Sequence, residues 1–272
     1  MNSAIGNPWH NPEVNLLLSR PHPCGYLESR SAATLFVDPG VAMEDTLYAF
    51  LVERGFRRSG GHVYCHYCPG CRACHAVRVP VHDFRLSRSL RRVWQRNQDL
   101  TVQVQPAAFT QERFALYQSY IAQRHGDGPM ADPAASDFSD YLLAPWSMTR
   151  FVEFRDAGRL VMVAVTDILP QALSAVYTFF APELNSRSLG TYAILWQIRE
   201  TLGLGRNHLY LGYWIAGCQK MLYKSRFQPM ETFRGRQWLP FQVGEEAVAG
   251  AAGVTLARVT VDTGWPAAPD GW

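Results

Sequence analysis

Four cysteines recur at every third position in YCHYCPGCRACHAVR: Cys65, Cys68, Cys71 and Cys74. Thiolates two residues apart can turn toward one ion. In a reducing setting, this spacing points to a metal or an iron–sulfur cluster sooner than to disulfides. Tetrahedral zinc takes four ligands. Strict three-residue spacing crowds them, which leaves room for one bystander and for Cys24, in RPHPCGYL, as a distant fourth ligand. His62, His66, His75 and His82 are substitutes. The competing readings are reduced thiols packed as small hydrophobes and an occasional regulatory disulfide. Cys218 stands alone and reads as structural.

The thiols sit inside the most basic stretch of the chain. Ten arginines lie between Arg54 and Arg96 against one acid, Asp83, a local charge of +9 in a chain whose net charge is +3. Such an excess suits a polyanion, nucleic acid before an anionic membrane surface, or else it is a solvated face. Lysine is nearly absent. Only Lys220 and Lys224 occur, both in QKMLYK, where a compact charge with a pKa that burial can lower is the alternative to chance codon usage.

These residues need elements to position them. Residues 1–40 are loop-rich. VAMEDTLYAFLVERGF predicts a helix with Met43, Leu47, Phe50 and Leu51 on one face and Gly55 as its stop. HAVRVPV alternates like a strand, FRLSRSLRRVWQRN predicts a basic helix, and TVQVQP another strand. FTQERFALYQSYIAQRHG places Phe114, Tyr117, Tyr120 and Ile121 on a helical face, and ASDFSDYLLA is a shorter helix. FVEFR and RLVMVAVTDIL are strands joined by a turn at Asp156–Gly158, and LSAVYTFF is a third. LGTYAILWQIRETLGL is helical, with Tyr192, Leu195, Ile198 and Leu202 on a common face. HLYLGYW is a strand and CQKMLYKSRF a last short helix. Three antiparallel strands, a crossover helix and another strand indicate an α/β (α+β) sheet of mixed direction. Residues 241–272 read as an Ala/Gly/Pro-rich tail in which VTLARVTV can form an edge strand. The expected division is 1–100, a Cys- and Arg-rich subdomain; 101–240, a larger α/β domain; and 241–272, the tail.

The chain has 272 residues, 47% hydrophobic and 18% charged, which is ordinary globular composition. No apolar run reaches the roughly 18 residues of a membrane span. The first residues lack the basic start and apolar core of a signal peptide. The expectation is a cytoplasmic protein with no membrane partner and reduced thiols.

Several segments together resemble the arginyl/leucyl-tRNA–protein transferase family: PCGYL at 23–27, GFRRSG at 55–60, CPGCRAC at 68–74 with VRVPV, RSLRRVWQRNQDL at 88–100, TDILPQALSAVYTFFAPE, SLGTYAILWQIRE and LYLGYWIAGCQKMLYKSRFQPMETF. They run in order over residues 20 to 240. The short form and the PCGYL opening are similar to the bacterial branch. That resemblance implies transfer of leucine from leucyl-tRNA to an N-terminal Asp or Glu, marking the product for N-degron proteolysis. It implies a GNAT-type acyltransferase sheet in the second half and a smaller cysteine-containing subdomain before it. It also implies a metal set at Cys24, Cys68, Cys71 and Cys74, zinc or an iron–sulfur cluster, with Cys65 as an addition to the pattern and no cofactor required for the chemistry.

The reaction is aminolysis of an activated ester, so positioning and oxyanion stabilisation matter most. Tyr177, Tyr192 and Tyr213, near the ends of the expected strands and the start of the crossover helix, are the catalytic candidates, each weighed against core packing. Substrate-binding candidates are Trp214, Asp167, which could orient the amine or cap a turn, and Lys220 or Lys224, four residues apart on a shared helical face, for the acceptor carboxylate or the tRNA 3′ end. For tRNA the candidates are Arg88, Arg91 and Arg92 on one helical face, extended by Arg85 and Arg96. Arginyl-tRNA as donor and a zinc-dependent RNA-binding module without catalysis are the alternatives. An acyl-CoA transferase is disfavoured, because NSRSLGTY lacks the pyrophosphate loop of that class.

Overall fold

The computed structural model describes residues 14–125, 132–242 and 259–260. An N-terminal layer begins with β1 (Leu16–Leu18), β2 (His22–Pro23), β3 (Ser31–Ala32) and β4 (Thr34–Val37), which lie where the sequence reads as loop. Helix α1 (Asp45–Glu53) follows and stops at Gly55, whose φ of 86° is open to glycine without strain. Its buried side chains are Tyr48, Leu51 and Val52. Met43 precedes the helix, and Leu47 and Phe50 are only half-buried, so the inward face is rotated from the expected one. Strands β5 (Arg57–Ser59) and β6 (His62–His66) join β4 and β1 as four strands of a five-stranded sheet, whose fifth comes from near the C-terminus.

The next strand, β7 (His75–Pro80), leaves that layer. It enters an eight-stranded sheet between two later strands, so the expected boundary at residue 100 does not divide the sheets. Helix α2 (Arg88–Arg96) is capped by Ser87, whose hydroxyl accepts from the Leu90 amide. Strand β8 (Thr101–Pro106), α3 (Gln111–His125) and α4 (Ala135–Leu142) come next. The expected meander is present as β9 (Thr149–Asp156), β10 (Arg159–Leu169) and β11 (Ala172–Phe180), all antiparallel. The crossover helix α5 (Leu189–Gly203) returns the chain to β12 (His208–Trp214), which runs parallel to β11.

A short α6 (Gln219–Leu222) and a 3₁₀ turn lead to a hairpin that the sequence reading missed, β13 (Glu231–Arg234) and β14 (Gln237–Pro240). Gly235 and Arg236 both take positive φ at its turn, which matches the twist of a tight hairpin. Arg78 ties the hairpin down through Glu231 at 2.6 Å and Glu53 at 2.9 Å. The backbone of β15 (Val259–Thr260), inside the expected edge strand, pairs parallel to β1. The rest of the expected tail from residue 243 on lies outside the described residues.

The large sheet, ordered β14-β13-β7-β12-β11-β10-β9-β8, is covered on both faces. Alternation along β9 sorts them. Phe151 meets Phe138 of α4 on one face, and Phe154 meets Tyr192 and Trp196 of α5 on the other. The N-terminal layer shares the α3–α4 face, and α2 lies with α5, where Trp94 packs on Tyr192 at 5.3 Å. The expected inward faces of α3 and most of α5 hold, except that Leu202 is exposed and Thr201 is buried in its stead. Among the described residues, no helix is long and apolar enough to cross a membrane.

Candidate active site at the strand fork

The two parallel strands at the centre of the sheet part company. β11 and β12 pair from Ala172–His208 to Ser174–Tyr210 and no further, although β11 continues to Phe180 and β12 to Trp214. Irregularities in register flank the split. On β10–β11 it falls between Val165 and Thr166, and on β12–β7 between Tyr210 and Gly212. Each bulge bends its strand away from the other. Gly212 takes φ +78° there, a conformation glycine supplies most readily. Each arm keeps its outer partner, and past the split the two arms no longer pair with each other.

Tyr177 lies on the β11 arm past the split, half-buried among Tyr117, Tyr120 and Tyr141, with Tyr141 5.1 Å away. Its hydroxyl bonds to no described residue. Burial holds its pKa well above the usual range, so it remains a proton donor at neutral pH. Tyr213 lies on the β12 arm, but its hydroxyl already donates to the Gly55 carbonyl at 2.9 Å. Tyr192 is 3% exposed between Trp94 and Phe154, on the α5 face. It is a core residue there. Trp214 is buried against Phe241, with its indole N–H unpartnered.

Asp167 does not reach the fork as a free carboxylate. It is fully buried in β10 and accepts four hydrogen bonds: from Arg58 Nε and Nη2 at 2.6 and 2.7 Å, from Tyr48 Oη at 2.9 Å and from Thr149 Oγ1 at 2.7 Å. No lone pair remains for a substrate amine. Arg58 adds bonds to the carbonyls of Gly60 and Leu142 and to the Thr149 hydroxyl, using all its donors. The pair locks the N-terminal layer onto the sheet.

Lys220 and Lys224 do not share a face, because α6 ends between them. Lys220 is exposed. Lys224 is buried and donates to the Tyr213 carbonyl on the β12 arm at 2.5 Å. Burial, then the nearby Arg57 charge, pushes its pKa down to about 7. Arg57 itself was read from the sequence only as one arginine in a basic run. It lies buried between the N-terminal layer and the Tyr210 and Tyr213 rings. Two arginines in succession on a strand between two layers cannot both face water, and that was the signal available. His66, Tyr64 and Tyr26 line the same side, with the His66 ring 4.7 Å from Tyr213. Burial pushes the His66 pKa down to about 4, so its imidazole is uncharged at neutral pH.

The thiols stand beside this wall. Cys24, Cys68, Cys71 and Cys74 are close enough to feel one another electrostatically, and burial raises the pKa of Cys68 and Cys74. Burial pushes Cys65 up to about 12. All six cysteines are free thiols. Cys68 Sγ accepts from the Ala33 amide at 3.4 Å and donates to the Ala33 carbonyl. Among the described residues, no three or more His, Cys, Asp or Glu side chains are arranged to hold a metal ion. As they lie, the four thiols do not fit the metal or cluster that the resemblance implies, and no step of the chemistry is routed through one.

The basic stretch is only partly a surface. Arg57, Arg58 and Arg78 are buried, whereas Arg85, Arg88, Arg91, Arg92 and Arg96 are exposed. Arg96 donates to the Ser186 carbonyl and Asn97 to the Arg187 carbonyl. Residues 186 and 187 immediately precede α5, which starts at the open end of the fork. Arg187 also donates to Asp156 at the end of β9, so the C-terminus of α2 stands by the β9–β10 turn, at the end of the sheet toward which the split opens.

Residues 22–92 match the family described as arginine-tRNA-protein transferase, N terminus, and residues 112–234 its C terminus. The chain belongs to the arginine-tRNA-protein transferase family. Within it, the chain is 50% identical over 221 residues to an aspartate/glutamate leucyltransferase of Pseudomonas fluorescens, covering 81% of this chain and 94% of that protein. An aspartate/glutamate leucyltransferase of Pseudomonas aeruginosa is 49% identical over the same shares. Solved structures resemble this transferase more faintly. L-PGS from Bacillus licheniformis aligns with a TM-score of 0.42 at 13% identity, over 64% of this chain and 51% of that one. A GCN5-related glucosamine N-acetyltransferase region of a fungal β-N-acetylglucosaminidase aligns at 0.37 and 9%, over 70% and 22%.

Proposed function

We propose that this chain transfers leucine from leucyl-tRNA to the N-terminal Asp or Glu of proteins in the cytoplasm, marking them for N-degron proteolysis. The observation that carries the reading is the fork, with a row of exposed arginines on α2 to meet the RNA backbone. The aminoacyl end of the tRNA enters between the arms while α2 grips its backbone. The acceptor's α-amine, with a pKa near 8, is sufficiently neutral to attack without a dedicated base. Its nitrogen bonds to the ester carbonyl carbon, and the oxyanion collapses to break the carbon–oxygen bond. The tRNA hydroxyl leaves with the proton given up by the amine. Tyr177, neutral and without a hydrogen-bond partner among the described residues, donates to the oxyanion. The 50% and 49% identity to the named leucyltransferases, over 94% of each of them, supports leucine as the donated residue. Purified protein given radiolabelled leucyl-tRNA should label peptides beginning with Asp or Glu. Absence of label on both, with labelling by arginyl-tRNA or by neither, overturns the reading.

A further inference from the structure

Two buried arginines stand side by side on β5, and only one has an anion. Arg58 clasps Asp167 along its Nε/Nη2 edge, at 2.6 and 2.7 Å. Arg57 is 5% exposed. Its Nη1 donates to the carbonyls of Val52 and Phe56, at 3.3 and 2.5 Å. Its Nε and Nη2 are enclosed and have no hydrogen-bond partner among the described residues. The vacant edge is the one that Arg58 uses on Asp167, and its two parallel N–H groups match the two oxygens of a carboxylate.

The surroundings supply no such carboxylate. Among the described residues, neither Arg57 nor the adjacent Lys224 forms an ion pair. The Tyr210 and Tyr213 rings, 5.2 and 5.9 Å from the guanidinium carbon, hold it by cation–π contact and leave the edge donors unmatched. Enclosed polar groups in folded proteins nearly always have partners, and an enclosed cation needs an anion more than most. Lys224 reaches the same region from below, with its Nζ 3.7 Å from the site a Gly212 side chain would occupy on the β12 arm. Both cations therefore sit beside the fork, on the N-terminal-layer face of the sheet. The exposed arginines of α2 belong to the other face.

We propose that the Nε/Nη2 edge of Arg57, with Lys224 beside it, receives the side-chain carboxylate of the acceptor's first residue and makes the transfer selective for aspartate and glutamate. This assignment rests on the leucyl-transfer reading above. The acceptor approaches from the N-terminal-layer face and the esterified donor from the α2–α5 end, so that amine and carbonyl meet between the arms. The edge has no solvent contact in this structure, so entry displaces a ring. Tyr64, half-buried and opposite Arg57 in the β5–β6 register, is the ring in place to move. A tRNA phosphate is the weaker fit, because a hydrated backbone group would have to enter a tyrosine-walled interior.

The test compares wild type, Arg57→Gln and Lys224→Met with leucyl-tRNA and four peptides that differ only in an N-terminal Asp, Asn, Glu or Gln. Both variants should lose the preference for Glu over Gln, with kcat/KM for the Glu peptide falling about a hundredfold in Arg57→Gln, chiefly through KM. General damage to the fold would lower all four peptides together and leave the ratio intact. An unchanged Glu-to-Gln ratio in both variants overturns the assignment, and so does a rise confined to the KM for leucyl-tRNA, which would place a phosphate at Arg57. Wild-type protein that labels no acidic peptide overturns the leucyl-transfer reading itself.

Discussion

Tyr177 and Tyr213 sit on opposite arms of the fork; the Tyr213 hydroxyl is spent on Gly55, whereas that of Tyr177 has no partner among the described residues. Tyr177→Phe removes the donor and little volume. It should lower kcat by about a hundredfold while leaving the KM for the acidic peptide near its wild-type value, read from steady-state transfer kinetics. His66 makes a second residue-scale prediction. Its folded pKa of about 4 lies below its ordinary 6.5, so the unfolded chain binds the proton more readily. Stability is full above pH 6.5 and declines as pH falls toward 4, by up to roughly 3 kcal/mol from this group. Urea midpoints across that window should fall in wild type and fall less in His66→Phe. Little of this was legible beforehand. The sequence presents Tyr177, Tyr192 and Tyr213 as equals, because whether a phenol is spent on a carbonyl, as Tyr213 is on Gly55, depends on a turn 158 positions away in sequence.

Elements were read more easily than residues, because a buried face imposes its period on the sequence. Helices α3 and α5 and the meander β9–β11 follow directly from alternation and apolar spacing. What escaped were short strands without a period, β1 to β4, and the β13–β14 hairpin, whose Gly235–Arg236 turn lacks the Asn-Gly or Asp-Gly pair that announces such turns. At this scale α2 makes the clearest prediction. Arg88, Arg91 and Arg92 are exposed and form no ion pair among the described residues. Replacing all three with alanine should weaken leucyl-tRNA binding and shallow the dependence of log Kd on log salt by about three units, measured by fluorescence anisotropy from low to moderate salt. Gly60 marks where β5 meets the end of α4. A methyl group there would lie 1.7 Å from the Asp140 carbonyl oxygen. Gly60→Ala should therefore lower the melting temperature markedly, because neither backbone can yield without parting the layer from the sheet.

At the level of the whole molecule, the most enclosed of the ties between layer and sheet is a saturated carboxylate. Asp167→Asn would leave the Arg58 charge enclosed without its counter-ion and should cost about 3–5 kcal/mol, seen as a lower urea midpoint. The sequence offered Asp167 as a substrate contact or a turn cap. It could not reveal that Tyr48, Arg58 and Thr149 converge on it from three separate elements. The same holds for β7, which lies in the Cys- and Arg-rich region yet pairs with β12 and β13.

The placement of β7 bears on how the chain is made. Both flanks of that strand are completed by segments that leave the ribosome much later, residues 208–214 on one side and 231–234 on the other. Until then its two edges are bare, and an apolar ribbon with bare edges invites pairing with any neighbouring nascent chain. Translation paused before residue 208 should leave an aggregation-prone, protease-sensitive species, and release past residue 234 should convert it abruptly to a resistant one.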